Sequence, residues 1–240
     1  GENPRFTPTD KPMIVRGFMP GTAGMRGIAI GTPGGMHFAF DSERCALSAV
    51  WTGEFAEIGG WYDNGRGRPE ENGLKPLGKI IWRGTSDKPF REAPQASGSN
   101  SGDIYPRFRS ISASADGTTV AYDLPRERSK TVTVEETWKS PANNAFERTF
   151  AFSGDSGSGL WLVVGGAPEI HSNGDEWSYI DGDRGWIIKA EGGRLSTFPT
   201  KVDGGLKILL MVQPSDPLPN HRSLRVTYRS VKPTDLDIPK

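Results

Sequence analysis

Aromatic and charged side chains are interleaved in one glycine-rich stretch, residues 51–68, and this combination suits a sugar. A sugar ring has an apolar C–H face, which the negative face of an aromatic ring attracts, and a rim of hydroxyl groups that hydrogen-bond charged side chains. We therefore predict that a saccharide binds to Trp51, Trp61, Asp63 and Arg66. The alternative is that the tryptophans fill a core and the charged side chains are solvated.

The three histidines, His37, His171 and His221, are far apart in the sequence, and their spacing demands no common site. A metal-binding pair on one helical face needs two histidines about four residues apart, so no metal site is predicted from them. A histidine that meets a carboxylate in a cleft would support acid–base chemistry on a sugar, as in an epimerase or a polysaccharide lyase. That enzyme is our second hypothesis, and its catalytic residues are not assigned.

The string Gly-Asp-Ser-Gly-Ser-Gly at residues 154–159 is close to the sequence around the nucleophile of trypsin-like proteases. That chemistry needs a histidine base and a buried aspartate, and His37 lacks the flanking residues of such a base. We interpret the string as a turn between two strands. Asp181 and Asp183 could supply two oxygen ligands to Ca²⁺, but a polar hairpin connection is the preferred interpretation.

Charge and composition exclude several classes of protein. Lysine and arginine number 29 and aspartate and glutamate number 29, so the formal net charge is zero. Nucleic-acid binding usually needs a basic excess, so we predict no nucleic-acid partner. A helix that spans a membrane needs roughly 20 consecutive apolar residues, and the sequence has no such run, so we predict no membrane span. The single cysteine, Cys45, excludes an internal disulfide and every Cys-x-x-Cys motif. No cofactor is predicted.

The elements that must position these residues are strands. Apolar and polar residues alternate along most of the chain, and 31 glycines and 19 prolines mark frequent turns. We predict an all-β fold, a large antiparallel β-sandwich with few or no helices, in one domain over residues 1–240. Strands are predicted at residues 25–31, 36–41, 45–51, 78–83, 105–114, 118–124, 131–138, 146–152, 160–164, 177–180, 186–190, 206–212 and 223–229.

One predicted strand carries an arginine on its apolar face, in the row Phe146, Arg148, Phe150 and Phe152. In the preceding strand, alternation places Glu136 on the same face as its apolar residues. An arginine among three phenylalanines indicates either a strand end or a charge directed into a groove.

Two predicted strands, at residues 160–164 and 208–212, are apolar without alternation, which is typical of central strands covered on both sides. Residues 63–75 and 86–102 resist strand assignment, and we predict two long loops there. Loops of this length in a compact domain are usually functional or mobile.

Several segments of the first half carry a resemblance: Arg-Gly-Phe-Met-Pro-Gly at residues 16–21, the glycine-rich residues 26–35, Phe-Asp-Ser-Glu-Arg-Cys-Ala-Leu at 40–47 and Trp-Thr-Gly-Glu-Phe at 51–55. They resemble a β-rich module of large secreted bacterial proteins that also carry sorbosone-dehydrogenase-like propellers and c-type cytochrome domains. The resemblance implies a secreted or periplasmic location, and neighbouring domains or a cytochrome-type partner. The haem motif Cys-x-x-Cys-His is absent, so no haem is implied, and no catalytic residue is carried over.

The long strands over residues 105–164 are also similar to the super-sandwich of galactose mutarotases. That fold serves sugar epimerases, polysaccharide lyases and accessory domains, and mutarotases use a histidine and a glutamate. No motif selects among Glu135, Glu136 and Glu147. Our leading hypothesis is a secreted, non-catalytic module that binds a saccharide or polysaccharide. A sugar-active enzyme and a structural docking module are the alternatives.

Overall fold

The computed structural model of the 240-residue chain describes residues 2–59, 73–94, 102–126, 130–154, 159–202, 205–215 and 222–238. Contacts between residues divide the chain into two compact units. Unit 1 comprises Gly1–Gly84 and Ser112–Thr118, and unit 2 comprises Thr85–Ile111 and Thr119–Lys240. A single domain over residues 1–240 stays a prediction.

Two antiparallel sheets form unit 1. The strands of the larger sheet are β2 Met13–Met19, β3 Gly24–Gly31, β4 Met36–Asp41, β5 Ala46–Thr52 and β8 Lys79–Arg83. They lie in the order β2-β3-β4-β5-β8. The smaller sheet contains β1 Arg5–Phe6, β6 Ala56–Gly59 and β7 Gly73–Pro76, in the order β1-β6-β7.

Small side chains on the larger sheet make room for aromatic rings in the core of unit 1. Ala29, Ala39 and Ala49 are register partners on three neighbouring strands, and all three are buried. The rings of Trp51 and Phe55 belong to the same cluster and stack with their centroids 5.9 Å apart. The row of alanines therefore provides the space that these two large rings occupy.

The larger sheet of unit 2 has eight strands, of which β10 and β11 extend into residues 112–118 of unit 1. Its strands are β10 Arg107–Ser114, β11 Gly117–Leu124, β12 Val132–Ala142, β13 Ala145–Gly154, β15 His171–Asn173, β16 Glu176–Asp181, β17 Arg184–Glu191 and β20 Arg222–Val231. The order is β10-β11-β12-β13-β20-β17-β16-β15. The predicted alternation along β12 and β13 is confirmed, because Val134, Trp138, Phe146 and Phe150 are buried while residues 135, 137, 147 and 149 are more exposed.

A four-stranded sheet completes unit 2. Its strands are β9 Phe90–Arg91, β14 Trp161–Ala167, β18 Gly193–Val202 and β19 Gly205–Pro214, in the order β18-β19-β14-β9. The prediction that residues 160–164 and 208–212 form central strands is confirmed, since β14 and β19 lie inside this order and consecutive residues are buried at 162–164 and 209–212. The prediction of a loop over residues 86–102 is wrong at Phe90–Arg91, which pair with β14.

The two sheets of unit 2 pack face to face. Phe90 of the four-stranded sheet contacts the rings of Tyr122 and Phe150 of the eight-stranded sheet, with centroids 5.7 Å and 6.4 Å apart. The prediction of an all-β antiparallel sandwich with few or no helices is therefore confirmed. Within the described residues, the one helix is a short 3-10 helix at Pro233–Asp235, and none has the length and apolar character of a membrane span.

Candidate functional site

Trp51 lies in the interior of unit 1 and presents no ring face to a ligand. Its side chain is 0 % exposed, and its indole N–H donates a hydrogen bond of 2.7 Å to the carbonyl oxygen of Phe55. The prediction that Trp51 binds a saccharide is therefore wrong in this structure. The physical reason is the alanine row, whose small side chains leave room for the indole, and burial of this apolar ring is favourable.

The other three predicted ligand residues, Trp61, Asp63 and Arg66, lie outside the described residues, so their assignment stays a prediction. Of the neighbouring charges, Glu54 and Glu57 each lie near Arg5, with closest N–O distances of 3.8 Å and 3.9 Å.

The histidines do not form a catalytic pair in the described part of the chain. His37 is buried beside Trp51 and Phe55; its Nδ1 accepts a hydrogen bond of 3.0 Å from the backbone N–H of Thr32, and its Nε2 lies 2.7 Å from the carbonyl oxygen of Gly53. The accepting role of Nδ1 places the proton of the neutral ring on Nε2, which donates to Gly53.

Burial lowers the pKa of His37, against the opposing effect of the hydrogen bond to Gly53. His171 is near one carboxylate, but its Nε2 is 3.7 Å from Oε2 of the exposed Glu169, beyond hydrogen-bond distance. His221 lies outside the described residues.

Asp181 and Asp183 flank the tip of a hairpin, as the sequence predicts. Asp181 ends β16, Arg184 begins β17 opposite it, and Gly182 takes a positive φ of 61° at the tip. The described residues contain no group of three or more histidine, cysteine, aspartate or glutamate side chains arranged to hold a metal ion.

Arg148 belongs to a buried polar network in the sandwich of unit 2. It lies in the middle of β13, and its Nε donates a 3.0 Å hydrogen bond to Glu136, whose side chain is 0 % exposed. Tyr122 donates to the other oxygen of Glu136 at 2.9 Å, and Trp138 also donates to this carboxylate. Both predicted explanations, a strand end and a groove, are wrong, because the charge is neutralised inside the core.

This network joins the two sheets. Arg148 also donates to the hydroxyl oxygen of Tyr228 at 3.3 Å, and the Tyr228 hydroxyl donates to the carbonyl oxygen of Val164 at 2.8 Å. Burial alone would lower the pKa of Arg148, but the neighbouring carboxylate of Glu136 holds that pKa above the ordinary value. Burial raises the pKa of Tyr228. The network is sealed from solvent, so we assign it a structural role.

A second set of aromatic and charged residues lies on the outer face of the four-stranded sheet. Register pairs share a face in an antiparallel sheet, so Trp161 shares this face with its partner Arg91, and Phe198 shares it with its partner Leu209. Trp161 and Phe198 are partly exposed and pack against the buried side chains of Val163, Leu209 and Met211.

The rings of Trp161 and Phe198 meet edge to face. Their centroids are 5.3 Å apart and their planes are 85° apart. The two residues come from β14 and β18, which are separated by β19, so the contact holds rings from non-adjacent strands in one fixed arrangement. Edge-to-face geometry is a favourable arrangement of aromatic quadrupoles.

Two ion pairs involve residues of the same face, because Arg91 is the register partner of Trp161 and Lys207 lies two positions from Leu209 on β19. Arg91 donates to Asp103 at 3.0 Å, and Lys207 of β19 donates to Asp87 at 3.2 Å. Both pairs are partly or largely buried. The backbone also joins these segments, because Arg91 and Asp103 form a β-bridge.

A third aromatic ring is held by a lysine. Tyr105 is 61 % exposed, and the ammonium of Lys88 lies 4.2 Å from the centroid of its ring. Lys88 follows Asp87 in the chain and Tyr105 lies two residues after Asp103, so this pair adjoins both ion pairs along the sequence. We call the residues that are joined by register, by ion pairs or by this neighbourhood the aromatic face: Asp87, Lys88, Arg91, Asp103, Tyr105, Trp161, Phe198 and Lys207.

Sequence reasoning did not find the aromatic face. Its rings come from β14, β18 and the segment before β10, so no local motif marks it. The sequence offered one indication of this face, the tryptophan at position 161. An indole in an otherwise aliphatic strand can mark the side of the strand that is partly exposed. The arrangement offers ring surfaces beside fixed hydrogen-bonding groups, which is the combination that the sequence predicted for residues 51–68.

Comparisons with known proteins identify no family for this chain and only distant structural similarity. No family model matches the chain, and no curated protein matches it. A solved structure titled heparinase III, the BT4657 gene product, is similar with a TM-score of 0.47 and 14 % identity, over 85 % of this chain and 34 % of that chain. Its lysine-methylated form gives a TM-score of 0.45 and 12 % identity, over 99 % and 37 %. The chain spans about a third of those proteins, and similarities at this level establish no activity, substrate or family for it.

Proposed function

We propose that this chain is a saccharide-binding β-sandwich module and that the aromatic face contacts the ligand. The observation that carries the proposal is the partly exposed, edge-to-face pair of Trp161 and Phe198, on a face that also carries the partly exposed ion pair Lys207–Asp87. Flat rings accept the C–H face of a sugar, and the fixed charged groups beside them accept or donate hydrogen bonds to its hydroxyl groups.

The rings are mounted on a rigid support, which favours binding. Trp161 belongs to the central strand β14, and the side chains below it, Val163 and Met211, are buried. Binding groups that are already ordered lose little conformational entropy when the ligand arrives.

The proposal assigns binding and no reaction. His37 is engaged by backbone groups, and His171 is 3.7 Å from the exposed Glu169. In the part of the chain that the structure describes, neither of these histidines forms a hydrogen bond to a carboxylate. We further propose that the module acts outside the cytoplasm beside neighbouring domains, as the resemblance in the first half of the sequence implies.

A glycan array with matched variants tests the proposal. Trp161→Leu keeps an apolar side chain over Val163 and Met211 but removes the ring, and Ile180→Ala alters an exposed residue of β16 on the other sheet. We expect the unmodified chain to bind at least one glycan, Trp161→Leu to weaken that binding about tenfold or about 1.4 kcal/mol, and Ile180→Ala to leave it unchanged.

Two results would overturn the proposal. One is the absence of binding to every glycan on the array by the unmodified chain. The other is equal binding by the unmodified chain and by Trp161→Leu, with both proteins shown to be folded by circular dichroism and thermal unfolding.

A further inference from the structure

The three cations of the aromatic face differ in how they are neutralised. Arg91 and Lys207 each have a carboxylate partner, Asp103 at 3.0 Å and Asp87 at 3.2 Å. The ammonium of Lys88 instead lies 4.2 Å from the ring centroid of Tyr105. Across the described part of the chain, no carboxylate forms an ion pair with Lys88. Among the eight named residues of the aromatic face, three are cations and two are carboxylates.

The contact with Tyr105 orders the lysine without cancelling its charge. The ring quadrupole attracts a cation over its face, which restrains a side chain that would otherwise rotate freely. The ammonium can still accept an anion, because a ring quadrupole does not neutralise it. Tyr105 is 61 % exposed, so ring surface remains beside the charge.

We propose that the aromatic face takes an anionic saccharide, with Lys88 pairing with a carboxylate or sulfate group and Tyr105 packing against the sugar ring that carries it. This inference rests on the proposed function. The chain has a formal net charge of zero, so it has no general attraction for polyanions. Preference for an anionic sugar would therefore need a local, unneutralised cation such as Lys88.

The test compares polymers that differ in charge alone. Dextran is paired with dextran sulfate, and fully methyl-esterified polygalacturonate is paired with the free acid. We expect the unmodified chain to bind at least one anionic polymer about tenfold more tightly than its neutral counterpart. We also expect that preference to shrink as sodium chloride rises from about 0.05 M to about 0.5 M, because salt screens exposed charges.

Charge variants assign the effect to Lys88. Lys88→Gln should remove most of the preference for the anionic polymer, about fivefold to tenfold, whereas Lys88→Arg should retain it. Lys139→Gln removes the same charge from an exposed position on β12 of the eight-stranded sheet and should change nothing. Equal loss in Lys88→Gln and Lys139→Gln would overturn the inference, since the effect would then be one of total charge.

The outcomes separate this inference from the proposed function. Equal binding to charged and neutral polymers that is lost in Trp161→Leu would overturn the role of Lys88 and leave the saccharide-binding proposal standing. Failure to bind any of the four polymers would overturn the anionic preference, and the glycan array would decide the proposed function on its own. Sulfate and carboxylate are distinguished by which of the two anionic polymers binds.

Discussion

The hydroxyl of Tyr228 donates a 2.8 Å hydrogen bond to the carbonyl oxygen of Val164, across the interior of the sandwich of unit 2. Val164 lies where the pairing of β14 with β19 shifts register, between Val163 and Gly165. At such a bulge one residue has no partner in the ladder, so the tyrosine of the opposite sheet provides a partner for its carbonyl oxygen. The bond thus ties β20 to the strand that carries Trp161.

Removal of the Tyr228 hydroxyl should destabilise the protein. In Tyr228→Phe the Val164 carbonyl oxygen loses this donor and Arg148 loses one acceptor, and a buried group left unsatisfied costs about 1–3 kcal/mol. Urea unfolding measures the change in free energy. Tyr105→Phe removes a hydroxyl from an exposed ring and is the control, with an expected change within about 0.5 kcal/mol. Equal stability of the two variants would contradict the structural role of the bond.

The Glu136–Arg148 pair should be costly to break from one side. Glu136→Gln leaves the buried charge of Arg148 without its counterion, and Arg148→Met leaves the buried charge of Glu136 without its counterion. Breaking such a pair from one side costs about 3–5 kcal/mol. The double variant removes both charges, so it should be more stable than the sum of the two single changes predicts. A double-mutant cycle from urea unfolding measures the coupling. Additive effects would mean that the 3.0 Å contact contributes no coupling energy.

Unit 1 should lose stability in mild acid because of His37. Burial lowers the pKa of His37 in the folded state, so the unfolded chain binds the proton more tightly. The stabilising contribution is therefore fully present above the unfolded pKa of about 6.5 and declines as the pH falls through that value toward the folded pKa. Protonation at Nδ1 would also replace the acceptor that Thr32 needs.

Urea unfolding at pH values between about 7.5 and 5.5 measures this decline. His37→Gln removes the titrating group, so its unfolding free energy should change less over the same interval. A parallel decline in the unmodified chain and in His37→Gln would assign the pH dependence to other groups.

Gly31→Ala should destabilise the protein, although Gly31 does not have a positive φ. A Cβ at Gly31 would lie 2.5 Å from the ring of Phe55, whereas a Cβ at Gly34 would meet no atom within 4 Å. Overpacking a core costs about 1–3 kcal/mol, so Gly31→Ala should lower the melting temperature and Gly34→Ala should leave it nearly unchanged. Equal melting temperatures would mean that the Phe55 ring shifts freely.

Alternation predicted the faces of β12 and β13 correctly because a half-buried strand has a period of two whatever its partners are. It did not explain Arg148, since the partner lies on the neighbouring strand. In the register of β12 and β13, Trp138 lies opposite Arg148. Glu136 is the next residue of β12 on the same face, so it lies close to Arg148. Pairing the two predicted strands in register would have brought the two charges together.

The site was less predictable than the fold. Trp51 and Trp161 are both indoles on strands, and what separates a core ring from a surface ring is the size of the side chains on adjacent strands. Ala29, Ala39 and Ala49 make room for Trp51, and that room depends on register and not on local sequence. The strand β18, which supplies Phe198, was missed because Gly193 and Pro199 within it are typical of turns.

Pro199 also has a consequence for behaviour at high concentration. It is an exposed residue in the middle of β18, the outermost strand of its sheet. Proline has no N–H, so a neighbouring copy that tried to extend the sheet at this edge would lack a donor halfway along. The edge of β18 is therefore poorly suited to pairing with a strand of a second copy, which protects it against growth into a fibril.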